Sequence, residues 1–492
     1  MSKKDKKQPK EKAEKKKEKG EAKVPFFLKA IAKAVEKEGQ SLDMRAVTLS
    51  EGERIRWAVS TGSLAIDLIC GGGYGVGRFM SPFGPEASGK TTGALEAVAE
   101  ALLMGIPCIY YDAENALDVE YFDRIVYKKT GFHLSHFMGV TDAEGNVIKP
   151  GLLYYVQPSS CENCFNHATR IADSIPDIVK NKKLGWCWLQ KGEGNKKDTL
   201  EPREEEGNVS ILYVIDSLKA LVPQAKKDND EASPLAQQAR ALSDSFPNLV
   251  ERMKRKRLCV IYTNQVRSKI GFTMGNPEFE PCGDAAKFYS STRIRYASCA
   301  TSTVDKDFFK TSGTDGEGKG QVDVEMSWDG TGKDRYRYAK IKTIKNKQFS
   351  PYQETFIRFR YEKAGQQGDG IDPSFDVYAY LYQTGQCSKK SGKGLSISLF
   401  GYDKDEPFPR KIAAYLGDLK KLEKNLSKDK ENKLKTFDAK LTWLEFKELV
   451  ENPERKNAFH KLCKKQMETG FAWALYFANK NASKEKEDES ED

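Results

Sequence analysis

Nine consecutive residues, Gly84-Pro85-Glu86-Ala87-Ser88-Gly89-Lys90-Thr91-Thr92, carry the sharpest chemistry in the sequence. They satisfy G-x-x-x-x-G-K-S/T, the spacing of a loop that wraps phosphate oxygens. The glycines let backbone N–H groups curl around the oxygens, and the helix that follows aims its positive dipole end at them. In such a loop Lys90 reaches the β- and γ-phosphates of a nucleotide such as ATP, and the Thr91 hydroxyl completes a Mg2+ shell. The metal side also needs a carboxylate at the end of a second buried strand. Ile211-Leu212-Tyr213-Val214-Ile215-Asp216-Ser217 supplies Asp216 there. Tyr111-Asp112-Ala113-Glu114 ends another strand, and Glu114 is a candidate to polarise an attacking water.

These side chains need a rigid platform. Arg78-Phe79-Met80 reads as the strand entering the loop, and Ala94, Leu95, Val98, Ala101 and Leu102 form a helical stripe behind it. Cys108-Ile109-Tyr110-Tyr111, Leu152-Leu153-Tyr154-Tyr155-Val156, Ile211 to Ile215 and Leu258-Cys259-Val260-Ile261-Tyr262 are near-continuous apolar runs. Such runs suit strands buried on both faces, so the expected fold class is α/β: a central, mostly parallel sheet flanked by helices. Polar stretches at 190–208 and 301–334 read as surface insertions. Phe27, Ile31, Ala34 and Val35 are spaced as one face of a helix that Gly39 ends, and Ile412, Tyr415, Leu416 and Leu419 form a stripe in a Lys-rich C-terminal region expected to be a helical (α+β) domain.

The chain of 492 residues is long enough for about two to four domains. No apolar run approaches the ~18–20 residues of a membrane span, and the N-terminus shows no secretory pattern. Ten cysteines are too few for a disulfide scaffold, so the expected setting is a reducing cytoplasm. Net charge is +10, concentrated at 1–23, where eleven lysines face five acids; residues 485–492 carry six acids against Lys486. Both ends read as solvated tails, and the basic one is able to touch nucleic acid by counterion release. The expected divisions are a basic tail 1–23, an assembly helix region 24–58, a core 59–370, a C-terminal domain 371–480 and an acidic tail 481–492.

Four stretches, in order, resemble the bacterial and phage RecA-type recombinases over about residues 24–385. They are Ser60-Thr61-Gly62-Ser63-Leu64 with the phosphate loop; Asp112-Ala113-Glu114-Asn115-Ala116-Leu117-Asp118; Asn264-Gln265-Val266-Arg267 through Gly275-Asn276-Pro277-Glu278; and Lys345-Asn346-Lys347. The resemblance implies that Glu114 activates the hydrolytic water, and that Asp118 and Tyr121 hold and stack on adenine. It also implies that Gln265 senses the γ-phosphate and relays it to an adjoining DNA loop. Lys345 and Lys347 would reach the γ-phosphate of a neighbouring protomer, where two cations arriving in trans neutralise charge developing in phosphoryl transfer.

By the same resemblance two loops face DNA. One spans 223–234, with Lys226 and Lys227 beside Asp228, Asp230 and Glu231; the other spans 268–282, with Lys269, Phe272, Met274, Gly275, Asn276 and Pro277. Apolar wedges with flanking cations can insert between bases while Arg240 and Arg267 neutralise phosphates, and Gly283 closes the second loop. The chain departs from the family at Cys282-Gly283-Asp284, where two glycines and an asparagine are usual.

His133-x-x-His136 with Cys161-x-x-Cys164 has zinc-like spacing, but packing roles account for these residues more simply. Trp186 and Trp188 read as core or interface side chains. The expected protein is an ATP- and Mg2+-dependent recombinase that forms helical filaments on single-stranded DNA and pairs it with homologous duplex DNA. The alternatives are a hexameric helicase built on the same core, or a non-catalytic architectural DNA-binding paralogue.

Overall fold

The computed structural model describes residues 58–142, 147–175, 184–190, 199–205, 211–224, 234–268, 278–299, 323–326, 333–363, 366–389, 394–399, 426–428, 435–451, 463–464, 466–467 and 476. The chain divides into units 1–54 and 55–492, and every described residue belongs to the second. The basic arm 1–23, the helix expected at 27–35, the stripe at 412–419 and the acidic tail 481–492 lie outside the described residues.

The apolar runs are strands of one sheet. Its parallel half contains Arg78–Gly84 (β1), Cys108–Asp112 (β2), Leu153–Val156 (β3), Ile211–Asp216 (β4), Leu258–Tyr262 (β5) and Ser290–Cys299 (β6), in the spatial order β3-β2-β4-β5-β1-β6. Lys333–Asn346 (β7), Glu354–Lys363 (β8) and Gln366–Ile371 (β9) continue beyond β6 as antiparallel neighbours. Asn264–Gln265 beside β1 and Asp323–Met326 beside β7 bring the sheet to eleven strands. The central sheet is therefore mostly parallel where the site lies.

Alternation explains how β2 and β4 serve both faces. Tyr110, Leu212 and Val214 face a core built with Lys90–Leu103 (α2) and Val119–Thr130 (α3), following the short Leu64–Cys70 (α1). Ile109, Tyr111, Tyr213 and Ile215 face Cys161–Ser174 (α4) and Pro234–Arg255 (α5). Phe246 of α5 is fully buried among the rings of Phe79, Phe165 and Tyr262, so Phe246→Ala should cost about 3–5 kcal/mol. Gly283–Tyr289 (α6) leads into β6.

A third core joins α1 to Pro373–Gln383 (α7) and Trp443–Glu451 (α8), through Leu64, Leu68, Phe375, Phe446 and Val450. Asp376 of α7 accepts the backbone N–H of Leu64 at 2.8 Å and the Ser63 hydroxyl. Buried Arg358 and Arg360 pair with Asp372, and Arg360 also reaches Glu451 at 2.7 Å. Within the C-terminal region, expected to be helical with an α+β character, Cys387–Lys389, Gly394–Leu399, Lys435–Thr442 and Leu426–Lys428 form a four-stranded antiparallel sheet. The insertion around 190–208 contains a hairpin, Leu184–Gln190 against Thr199–Glu205. Among the described residues no helix is long and apolar enough to cross a membrane.

Buried charge braces α2 from behind. Glu96 and Glu100, 0% and 3% exposed, face Lys128 and Lys129 of α3 at 2.7–3.2 Å, and Lys464 reaches Glu100 at 3.0 Å. Isolated, these carboxylates would be costly to desolvate; paired, they lock α3 against the helix that begins at Lys90.

Candidate active site

The loop after β1 turns into α2 at Gly89, whose φ of +92° is open to glycine. A Cβ there would lie 2.2 Å from the Phe359 ring, so the turn demands this residue on space as well as on dihedral. The Ser88 hydroxyl donates to the Pro85 carbonyl at 2.8 Å, and Lys90 Nζ donates to the same carbonyl at 2.5 Å and lies 3.4 Å from Ser88 Oγ. Lys90 is 7% exposed, and among the described residues no carboxylate lies within ion-pair distance of it. Burial lowers its pKa, opposed by the fields of Asp216, Glu114 and Glu86. A desolvated ammonium resting on neutral oxygens fits a loop whose counter-charge is a polyphosphate. Glu86, Ala87 and Thr91 are exposed, so the mouth of the loop is open.

Asp216 ends β4 in register with Asp112 at the end of β2, which places the two carboxylates side by side at one edge of the sheet. Their surroundings assign them different work. Asp112 accepts the Tyr155 hydroxyl at 2.9 Å and the Leu117 N–H at 3.1 Å, holding the turn that displays Glu114. Asp216, 7% exposed, accepts hydroxyls from Tyr110 and Thr263, both neutral donors. The Asp216 carboxylate and the hydroxyl of exposed Thr91 are hard oxygen donors of the kind Mg2+ favours.

Glu114 is exposed, and its Oε1 accepts the Ser217 hydroxyl at 2.5 Å and Gln265 Nε2 at 3.4 Å. Gln265 Oε1 in turn accepts Lys219 Nζ at 3.2 Å. Gln265 also stands in register with Gly84, and the next N–H, of Val266, donates to the Gly84 carbonyl at 3.1 Å. One residue later Arg267–Ser268 pairs antiparallel with Glu278–Phe279. These short strands frame the loop whose Lys269, Phe272, Met274, Gly275 and Asn276 lie outside the described residues, as do 225–233 of the first loop. Arg267 and Arg240 are exposed, and Gly283 lies against Ala239, next to Arg240 on α5.

Asp118 caps α3, accepting the Tyr121 N–H at 2.9 Å, while the Tyr121 hydroxyl lies 3.1 Å from Thr92 Oγ1. The structure thus joins Tyr121 to the phosphate loop. Lys345 behaves differently: its Nζ donates to the Lys287 and Phe288 carbonyls at 2.9 and 3.0 Å, at the C-terminal end of α6, rather than to the 84–92 loop of its own chain. Burial, then Lys347 and Arg293, lower its pKa. The Lys347 N–H is fixed on the Ser291 carbonyl at 3.0 Å.

Neither half of the zinc-like pattern meets the other. Cys161 and Cys164 are buried with Phe165, whereas His133 bonds Asp123 at 2.7 Å and stacks on Tyr127. Among the described residues no group of three His, Cys, Asp or Glu is placed to hold a metal ion. Sequence reasoning did not single out Lys219, Tyr110, Thr263 or Tyr155. Lys219 had a weak signal, two residues past the Asp216-Ser217 strand end, but the tyrosines read simply as strand formers.

A phosphate loop between a central parallel strand and a helix, with two carboxylates on neighbouring strand ends, defines a phosphate-loop α/β protein. The family model for the RecA N-terminal domain matches residues 28–136 and 193–312. The RecA proteins of Streptococcus gordonii and Streptococcus mutans are each 30% identical to the chain, over 66% and 69% of it and 65% and 68% of their own lengths. That of Streptococcus thermophilus is 29% identical over 71% of the chain and 73% of its own length. The chain belongs to the RecA family. The alignment spans slightly under two thirds of the Streptococcus gordonii protein.

Proposed function

We propose that the chain is an ATP-dependent recombinase of the cytoplasm that assembles as a helical filament on single-stranded DNA and pairs it with homologous duplex DNA. The observation that carries this reading is the position of Gln265: bonded to Glu114, in register with Gly84, and two residues from the base of the second loop. A nucleotide-dependent shift of Gln265 has a short covalent path to that loop.

The chain's own groups divide the work. Lys90 and the N–H groups of 84–92 hold phosphate, Thr91 and Asp216 hold Mg2+, and Tyr121 with Asp118 borders the base. Mg2+ held by Thr91 and Asp216 would supply positive charge to offset the negative charge of the phosphates. Glu114 accepts the proton of the attacking water, with Ser217 and Gln265 orienting its carboxylate. Lys345 and Lys347 complete the site of the neighbouring protomer. The engagement of Lys345 with α6 instead of its own phosphate loop supports delivery in trans. Arg240, Arg267 and the loops beside them contact DNA phosphate and bases.

ATP turnover measured with and without single-stranded DNA tests the reading, with strong stimulation expected. Turnover indifferent to DNA would overturn it, and electron microscopy showing closed rings alone with ATP and DNA would favour the helicase.

A further inference from the structure

We propose that Tyr110 is a positioning residue for the metal-side carboxylate, holding Asp216 from one flank while Thr263 holds it from the other. This rests on reading Asp216 and the 84–92 loop as a Mg2+-nucleotide site. Tyr110 is 1% exposed in the middle of β2, and its ring packs toward Phe122 of α3 with centroids 6.2 Å apart. Its hydroxyl emerges from that apolar core to donate to Asp216 Oδ2 at 2.8 Å. Thr263, the residue after β5, donates to Oδ1.

Strands β2 and β5 are the two neighbours of β4. The carboxylate is therefore gripped symmetrically, one hydroxyl per oxygen. Two donors fix its torsion and occupy one lone pair on each oxygen, leaving the others for a cation. Because both donors are neutral, the negative charge is not spent on an internal partner. A phenylalanine at 110 would fill the same core and leave Oδ2 without this donor. Such outer partners typically alter metal affinity by about 10- to 100-fold.

The experiment is a Mg2+ titration of fluorescent ATP-analogue binding to the full chain, read without turnover, alongside the same binding in EDTA. In wild type, Mg2+ should tighten binding. In Tyr110→Phe the Mg2+ midpoint should rise roughly tenfold while the EDTA affinity stays within about twofold. Thr263→Val should shift the midpoint the same way and Thr263→Ser should restore it. A wild-type midpoint in Tyr110→Phe would overturn the proposal, as would an equal loss with Mg2+ and with EDTA, which marks a packing role. Wild-type binding indifferent to Mg2+ would instead overturn the underlying site assignment.

Discussion

Glu114 Oε1 lies 2.5 Å from Ser217 Oγ and 3.4 Å from Gln265 Nε2, so one carboxylate oxygen joins the exits of three strands. β2 delivers Glu114, β4 delivers Ser217, and the strand pairing with β1 delivers Gln265. The bond to Gln265 is long, and under the proposed function a phosphate oxygen would replace Glu114 as the acceptor of the Gln265 amide. Such an exchange would register at the loop base.

Replacing Glu114 by Gln keeps the shape and the acceptor oxygen for Ser217 but removes the base. Turnover should fall by roughly 100-fold or more while ATP binding and filament formation persist. Steady-state turnover beside equilibrium nucleotide binding separates the two effects. Undiminished turnover would place the base elsewhere.

Lys90→Ala should weaken ATP binding by roughly 10- to 100-fold, the loss of one charge-assisted contact. It should also abolish ATP-dependent assembly. The nucleotide-free protein should melt no lower than wild type, because the change removes a desolvated ammonium that has no carboxylate partner among the described residues. Labelled-ATP binding with thermal unfolding checks both halves, and wild-type affinity would end the phosphate-loop assignment.

Lys345→Ala should leave nucleotide binding by isolated protomers intact, since the 84–92 loop belongs to the same chain. DNA-stimulated turnover should collapse. Mixed with Glu114→Gln, it should regain partial turnover, because some interfaces then pair an intact Glu114 with an intact neighbouring Lys345. Co-assembled mixtures no more active than either parent would rule out a shared site.

Asp67 gives a pH signature. It is fully buried, and burial pushes its carboxyl up to about 7 despite donors from Ser60 and Thr61 at 2.6–2.7 Å. Asp376 moves the same way, to about 6, through burial. A pKa raised on folding means the folded chain holds a proton that the unfolded chain has released. The stability it adds is complete below about pH 4 and is lost as pH rises through about 7. Asp67→Asn should therefore raise the melting temperature more at pH 8 than at pH 5.5. Equal shifts at the two pH values, measured by thermal unfolding, would contradict this origin.

The parallel half of the sheet was legible because its strands are buried on both faces and must be apolar throughout, as Ile211 to Ile215 are. The antiparallel half was not: β7 reads Arg335, Arg337, Lys340, Lys342 and Lys345 between apolar residues, a pattern that resembles a solvated segment. In the C-terminal region, expected to be α+β, the Lys-rich composition hid which residues form the small sheet, whose strands Gly394–Leu399 and Lys435–Thr442 are specified by pairing across a long separation. At the site, Lys90 and Asp216 were visible because spacing dictates them. Tyr110 and Lys219 were not, because their roles depend on which strand lies beside which. Glu96 and Lys128 likewise look like surface charges until α2 and α3 are packed together.

Lys464 stands far beyond residue 312, where the family-model match ends, yet it meets Glu100 on the helix that opens with Lys90. Cutting the protein back to that boundary would remove Lys464 and leave Glu100 with Lys129, which it shares with Glu96, while Glu96 keeps Lys128 as well. A graft of this core onto another C-terminal part therefore has to supply a new cation opposite Glu100, on the helix behind the phosphate loop.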